Sequence, residues 1–252
     1  RADAAGVRRA PEAGGGRAGK LRPLRTASEL TSVQELLDEA AGECHDGLAE
    51  LVGNHTFVGM ATPTLGLLQH QTGLYLVDAG ALSADLLYQQ ALARFERFGR
   101  VVLQPPPCLR TLLLQALDAE EARGRWQESD GSKAELAGLT TELLKEKADM
   151  LAEYFRMEVD GEGRLRSLPQ LLEGLPPDLA RLPHFLLRLG RDVDWETEKG
   201  CFRTMAEALA DFYSIKGPLG GEASPAGEAG EPAGGGDAAE GGGGGARGAA
   251  WR

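Results

Sequence analysis

The side chains best suited to metal chemistry in this sequence are its histidines and carboxylates. A catalytic metal needs several nitrogen, oxygen or sulfur ligands that converge on one point. Two histidines four residues apart on a helix would meet part of this need, but no pair of histidines has that spacing. The four histidines are well separated: His45, His55, His70 and His184. The spacing therefore predicts no histidine-based metal site.

A run of alternating carboxylates between Asp192 and Glu198 is the other candidate for a cation site. A calcium loop that began at Asp192 would need glycine where Thr197 stands and glutamate where Arg203 stands. The run is better explained as the acidic start of a helix, because carboxylates interact favourably with the positive end of the helix dipole. The chain also lacks the G-x-x-x-x-G-K-[ST] phosphate loop and the G-x-S-x-G nucleophile elbow. We therefore expect no nucleotide site in this chain.

Apolar periodicity predicts the helices that position these residues. Ser32 and Glu35 have the spacing of a capping box, and apolar residues then recur at three- and four-residue steps. This pattern predicts one helix from Val33 to Leu51. Ser83 is predicted to cap a second helix that ends near Gly99. Three further helices are predicted, over 109–117, over 136–155 and from about residue 194.

Short runs of large apolar and β-branched residues predict the strands. Thr72 and Gly73 are predicted to form the turn of one hairpin, and Asp160 to Gly163 the turn of another. The predicted strands are 57–60, 65–70, 74–78, 101–103, 157–159, 164–168 and 185–189. Because strands are interleaved with helices, the predicted fold class is α/β (α+β).

Composition limits the function classes open to the folded part. The 252 residues carry a net charge of −11, which argues against nucleic-acid binding over the whole surface, because phosphate contacts need clustered Lys and Arg. No window holds the roughly 18 uninterrupted apolar residues of a membrane helix. Residues 1–23 are predicted to be a disordered basic linker, which could contact DNA, act as a targeting segment or simply be solvated. Residues 217–252 are predicted to be a disordered Gly- and Ala-rich tail, so the folded domain is predicted over 24–216.

Five separate motifs in one order carry a resemblance to a known family. They lie within Leu21 to Lys216, and several motifs in a fixed order are far more specific than any one of them. The motifs are Asn54–Gly59 (NHTFVG), Gln69–Leu76 (QHQTGLYL), Lys147–Phe155 (KADMLAEYF), Leu186–Leu189 (LLRL) and Phe212–Ile215 (FYSI). This stretch resembles the C-terminal domain of the eukaryotic MutL homologue 1 mismatch-repair proteins.

The resemblance implies a MutL C-terminal dimerisation-type domain with mixed sheets, packed helices and two subdomains. The expected partner is a MutL paralogue of the post-meiotic-segregation type, which carries an endonuclease, and other mismatch-repair factors would dock on the pair. DNA would be reached indirectly, as part of the complex, in the nucleus and not at a membrane. The family's ATPase half, with its ATP and Mg, is expected outside this chain, which begins at Arg1 and reads as a piece of a longer protein. No cofactor is expected in the chain itself.

The family also continues beyond the matched stretch, into further strands and helices and a short tail that ends in cysteine. Part of the family's dimer surface lies in that region. Here the Gly-rich tail follows instead, and the sequence ends at Trp251 and Arg252. The resemblance therefore implies a domain that is truncated at its C-terminus.

The endonuclease site of the partner uses the pattern D-Q-H-A-x-x-E-x-x-x-x-E after a strand, because acidic and imidazole side chains hold a divalent metal. On this chain the pattern begins at Asp78. Its glutamine and histidine fall on Ala79 and Gly80, and its two glutamates fall on Ala84 and Gln89. One carboxylate cannot hold a catalytic metal pair, so the resemblance implies no catalytic and no metal-binding residue here.

The leading hypothesis is therefore an interaction module without chemistry of its own. Four large apolar residues are candidate partner contacts, with ordinary core packing as the alternative for each: Phe185, Leu187, Phe202 and Phe212. A rival hypothesis is a divergent metal nuclease that uses Asp78, His70 and a nearby acid. A third hypothesis is an acidic scaffold unrelated to repair.

Overall fold

The computed structural model describes residue 26, residues 28–127, residue 129 and residues 131–217. The helices are α1 (Thr31–Gly42), α2 (Asp46–Gly53), α3 (Ala79–Ala93), α4 (Leu109–Ala122), α5 (Lys133–Glu146), α6 (Ala148–Phe155), α7 (Leu182–Arg191) and α8 (Glu198–Tyr213), with a 3-10 turn at Leu179–Arg181. The strands are β1 (Thr56–Met60), β2 (Leu65–His70), β3 (Gly73–Asp78), β4 (Gly99–Val102), β5 (Glu158–Val159) and β6 (Leu165–Gln170). Apart from Gly217, the predicted disordered segments 1–23 and 217–252 lie outside the described residues. No helix in the described ranges is long and apolar enough to cross a membrane.

The strands form two antiparallel sheets, which together with the helices confirm the predicted mixed α/β class. In the first sheet β2 lies between β1 and β3, and in the second β6 lies between β4 and β5. The β2–β3 hairpin pairs His70 with Gly73 at its closed end. Its turn consists of Gln71 and Thr72, one residue earlier than predicted, and Gln71 has a left-handed φ of 53°.

The main core gathers side chains from α1, from α3 to α8 and from β6. Phe95 follows α3, and its ring centroid lies 5.3 Å from that of Phe155 and 4.6 Å from that of Phe202. A second ring pair, Phe185 on Phe212, joins α7 to α8 with centroids 4.6 Å apart. Rings of this size dominate the energy of a core because each buries a large apolar area. Among the described residues, none from β1, β2 or β3 belongs to this core cluster.

The first predicted helix is two helices, and its predicted capping box is wrong. α1 begins after Leu30, and no side chain caps it. The hydroxyl of Ser32 instead donates to the carboxylate of Glu198 at 2.6 Å, and so ties α1 to the first turn of α8. After a break, His45 Nδ1 accepts the amide N–H of Leu48 at 3.3 Å and caps α2. The hydroxyl of Ser32 therefore bonds to a residue that is remote in sequence, and not to the backbone of its own helix as the capping-box pattern predicts.

The helix predicted from Ser83 begins directly after β3 instead. Asp78 ends β3 and caps α3, because its carboxylate accepts the amide N–H of Ala81 at 3.0 Å. Ser83 lies inside the helix, where its hydroxyl donates to the carbonyl of Gly80 and accepts the amide N–H of Ile215. The serine therefore fastens the chain that leaves α8 to the first turns of α3.

Two other predicted elements differ from the structure: one predicted helix is divided in two, and one predicted strand is part of a helix. The long helix predicted over 136–155 is interrupted at Lys147, which ends α5 and precedes α6. The strand predicted over 185–189 is part of α7. Its short apolar run, Phe185 to Leu187, does not by itself distinguish a buried strand from a buried helix. The buried residues of α7 follow helical spacing: Leu182, Phe185, Leu186 and Leu189.

Replacing Phe95 with alanine should strongly destabilise the fold, because its ring is almost fully buried against three other rings. Deleting a buried phenylalanine ring typically costs about 3–5 kcal/mol. Denaturant unfolding followed by circular dichroism measures the change in the free energy of unfolding. The matched control is Leu139→Ala, which removes a side chain that is 70% exposed and should change this free energy by less than about 0.5 kcal/mol. Equal losses for both variants would contradict the assignment of Phe95 to the core.

Candidate partner-binding surface

Exposed apolar side chains concentrate on the first sheet and on the helices that flank it in sequence. Among the described residues, ten of the fourteen exposed large apolar side chains lie between Leu48 and Leu86. Scattered apolar residues are normal on a protein surface, whereas a concentration of them marks a site where another molecule binds. Six of the ten belong to strands and define the apolar sheet surface: Phe57, Val58, Met60, Leu74, Tyr75 and Leu76.

The apolar sheet surface includes residues on both faces of the sheet. Leu68 in the central strand pairs with Phe57 in β1 and with Tyr75 in β3, so these three side chains share one face. Leu67 pairs with Leu76 on the opposite face. Leu68 is only 6% exposed, but Phe57 is 58% exposed and Leu76 is 61% exposed. Each face of the sheet is therefore left open at an outer strand.

The sequence of β3 is typical of a strand that is covered on both sides. Leu74 to Val77 form an unbroken apolar run, whereas a strand with one face in water alternates apolar and polar residues. In the described structure Leu74, Tyr75 and Leu76 are all exposed. Leaving apolar area in water forgoes about 25 cal/mol per Å² of favourable burial. The run therefore fits a strand that lies at an interface.

Both outer strands of this sheet also have an open edge. Within the described residues, β1 and β3 pair only with β2. Edge strands are usually protected by Lys, Pro or inward-pointing charges, but β1 has no charged residue and β3 has only Asp78 at its end. A register shift between Phe57 and Gly59 bulges β1, whereas the pairing of β3 is regular along its length. The edge of β3 is thus the one better suited to pair with another strand.

α3 continues the apolar surface beyond β3. Its inner side is buried in the main core, where Leu87 is 2% exposed, while Leu82 and Leu86 are exposed at a four-residue spacing. Asp85 is the only residue of α3 with a charged side chain. Burial, with a smaller contribution from the nearby Glu43, raises the pKa of Asp85. A helix so poor in charge is suited to contact with protein and not with phosphate.

The four partner contacts predicted from the sequence lie elsewhere. Phe185, Phe202 and Phe212 are between 2% and 4% exposed, and Leu187 is half-buried and packs against the core. Phe185 and Phe212 stack on each other, and Phe202 contacts Phe95. The three rings therefore serve the core in this structure, which is the alternative stated for each of them. The sequence favoured contact through apolar sheet and helix surface, but none of the residues of the apolar sheet surface was among the predicted contacts, although the unbroken run in β3 is a signal that could have found them.

The residues of the rival metal site do not converge. His70 lies at the closed end of the β2–β3 hairpin, and Asp78 lies at its open end, paired with Leu65. Five residues of strand separate the two positions, which corresponds to about 17 Å. Metal ligands lie only about 2 to 2.5 Å from their ion, so Asp78 and His70 cannot share one in this structure. In the part of the chain that the structure describes, no group of three His, Cys, Asp or Glu side chains could hold a metal ion.

Comparison with known sequences assigns the chain to a family. The profile of the family described as "DNA mismatch repair protein Mlh1 C-terminus" matches residues 29–233. The DNA mismatch repair protein Mlh1 of Dictyostelium discoideum is 36% identical over 188 residues, which cover 75% of this chain and 21% of that protein. The DNA mismatch repair protein MLH1 of Saccharomyces cerevisiae is 31% identical over 199 residues, which cover 75% of this chain and 25% of that protein. This chain thus spans about a quarter of the length of these relatives. It belongs to the Mlh1 C-terminal family of DNA mismatch repair proteins.

Proposed function

We propose that this chain is the non-catalytic pairing domain of a MutL-type mismatch-repair subunit. It binds a paralogous MutL subunit of the post-meiotic-segregation type, and the apolar sheet surface makes the contact. The exposure of apolar side chains on both faces of the β1–β3 sheet carries this proposal. Membership of the Mlh1 C-terminal family supports it, because the relatives that the chain matches are named as mismatch-repair proteins.

The geometry of the surface suits a lasting contact between two subunits. The open edge of β3 can extend a sheet of the partner through backbone hydrogen bonds, while alternate side chains such as Leu74 and Leu76 enter apolar pockets. Leu82 and Leu86 of α3 add apolar area beside the strand. Interfaces of permanent complexes are more apolar than the rest of a protein surface, which is the character of this region.

The chain contributes no metal chemistry of its own in this proposal. The positions that bear ligands in the endonuclease pattern hold Gly80, Ala84 and Gln89, and Asp78 serves as the cap of α3. The paralogue supplies the endonuclease, and other mismatch-repair factors dock on the pair in the nucleus. In this proposal ATP and Mg bind the family's ATPase half and not the region that matches the Mlh1 C-terminal family, residues 29–233.

Replacing Leu74 and Leu76 together with aspartate should abolish pairing, because each new carboxylate would lose its hydration inside an apolar interface. We expect the affinity for the C-terminal half of a post-meiotic-segregation-type paralogue to fall by at least about 100-fold, or roughly 3 kcal/mol. Isothermal titration calorimetry measures the dissociation constant, and circular dichroism confirms that the variant keeps its helix content.

The matched control for this test places the same two charges outside the apolar sheet surface. Leu139 and Leu179 are 70% and 52% exposed, so Leu139→Asp with Leu179→Asp should leave the affinity within about twofold of the unmodified chain. If the sheet variant and this control bind the paralogue equally well, the apolar sheet surface is not the contact.

Substitutions at Asp78 separate the pairing domain from a metal nuclease. Asp78→Asn keeps an oxygen that can cap α3, so it should preserve both stability and the nicking of supercoiled DNA by the paired complex with manganese. Asp78→Ala removes the cap and should lower the free energy of unfolding by about 1 kcal/mol. A nuclease built on this carboxylate would instead lose its nicking activity in Asp78→Asn while unfolding at the same denaturant concentration.

A further inference from the structure

Six basic side chains gather around α7, in a chain whose net charge is −11. They form two groups: one contacts Glu120 and the other contacts Asp192 and Asp211, while His184 of α7 lies beside both groups. Positive charge is therefore in excess here, unlike in the molecule as a whole. We call this cluster the basic face, and its cationic members are Arg123, Arg125, Arg181, Arg188, Arg191 and Lys216.

One side of the basic face is organised by a buried carboxylate. Glu120 in α4 is 5% exposed and accepts from Arg125 Nη2 at 3.2 Å and from Arg123 Nη1 at 3.5 Å. His184 of α7 lies close by, with its Nδ1 3.8 Å from the same carboxylate oxygen. The side chains of Arg123 and Arg125 nevertheless stay about half exposed. Glu120 thus fixes their position while their outer N–H groups remain free for another acceptor.

The other side of the basic face lies between α7 and the C-terminal end of α8. Arg188 bridges Asp211 at 3.1 Å and Asp192 at 3.4 Å, and Lys216 shares Asp211 at 2.6 Å. Arg181 donates two hydrogen bonds to backbone carbonyls, those of Asp211 and Ser214. Among the described residues it pairs with no carboxylate, so it adds positive charge to the face. Each carboxylate here is shared by two or more cations, which leaves a positive excess on the surface.

We propose that the basic face binds the phosphate backbone of DNA directly. Five of its six cations are arginines, whose planar fork matches the oxygens of a phosphate and can donate two bonds at once. From Arg181 to Arg191 the face extends about 15 Å along α7, which spans on the order of four phosphates of one strand. The choice of DNA as the polyanion rests on the proposed function in mismatch repair. The contact is separate from pairing, because no residue of the apolar sheet surface takes part in it.

An acidic peptide fits this face less well than DNA does. Peptide recognition usually relies on large apolar or aromatic anchors as well as on charge. The aromatic rings beneath the face, Phe185 and Phe212, are buried against each other, and the small pocket that they line with Arg181 and Arg188 has room for about one water molecule and not for an anchoring side chain. Recognition through charge and guanidinium geometry alone is the pattern of sequence-independent phosphate contact.

The test compares DNA binding by the whole 252-residue chain and by its variant Arg125→Ala with Arg191→Ala. Both side chains are more than half exposed, and Arg123 still faces the buried Glu120 in this variant, so circular dichroism and the denaturation midpoint are measured alongside to confirm that the fold is kept. Fluorescence anisotropy with a labelled duplex gives the dissociation constant at several salt concentrations. Removing two phosphate contacts should weaken binding roughly tenfold or more at low salt and reduce the slope of log K against log salt by about two. The basic segment near the N-terminus is the same in every variant and cancels in the comparison.

Two further variants sharpen the result. Arg97→Ala with Arg110→Ala removes the same charge from exposed positions outside the basic face and should leave the slope unchanged. Arg125→Lys with Arg191→Lys keeps the charge and should retain most of the slope. Equal losses in the two alanine variants, or no loss in either, would overturn the proposal. The proposal would also be overturned if the variant Arg125→Ala with Arg191→Ala lost its binding to a polyglutamate peptide but kept its binding to DNA. Affinity for the paralogue should stay unchanged throughout, so failure here is distinguishable from failure of the pairing proposal.

Discussion

Burial of α8 is the constraint on which the rest of the structure depends. Nine of its sixteen residues are buried, and it packs against α1, α3 and α7. Ala206, Ala208 and Ala210 let neighbouring helices come close, while Phe202 and Met205 fill the space between them. A close-packed interior resists small displacements, so a helix that is enclosed in this way fixes the positions of all its neighbours.

Polar contacts at the two ends of α8 complete this arrangement. At its start, Glu198 accepts from Ser32 of α1. At its end, Arg181 donates to the carbonyl of Asp211 in the last turn and to that of Ser214 just after the helix, and Ser83 of α3 accepts the amide N–H of Ile215. α3 directly follows β3 of the apolar sheet surface, and α7 carries two of the six cations of the basic face, Arg188 and Arg191. One buried helix thus supports both the apolar sheet surface and the basic face. Substitutions can be made in either surface without changing the other.

The sequence predicts local elements of this fold better than it predicts what those elements touch. β2 and β3 follow from their apolar runs and the short turn between them, because the pairing partner lies next along the chain. Ser32 and Ser83 look like helix caps, but their hydroxyls bond to Glu198 and to the amide of Ile215, which are remote in sequence. α7 looks like a strand because its apolar run is too short to reveal its period.

The candidate site was likewise hard to predict, because it depends on contacts between residues that are remote in sequence. Residue size pointed to aromatic rings such as Phe202 as partner contacts, and the fold uses those rings for the core. Exposure cannot be read from residue type, because it depends on which elements happen to cover a side chain. The geometry of the rival metal site also depends on the fold. His70 and Asp78 are near each other in the chain, but an antiparallel hairpin carries them to opposite ends.

The open edge of β3 also affects how the protein behaves in a cell. A regular edge strand whose one charge lies at its end can pair with other strands that it meets, including that of another copy or of a misfolded chain. Under the pairing proposed above, a copy without its partner would expose this edge and would therefore self-associate or be removed by chaperones and proteases.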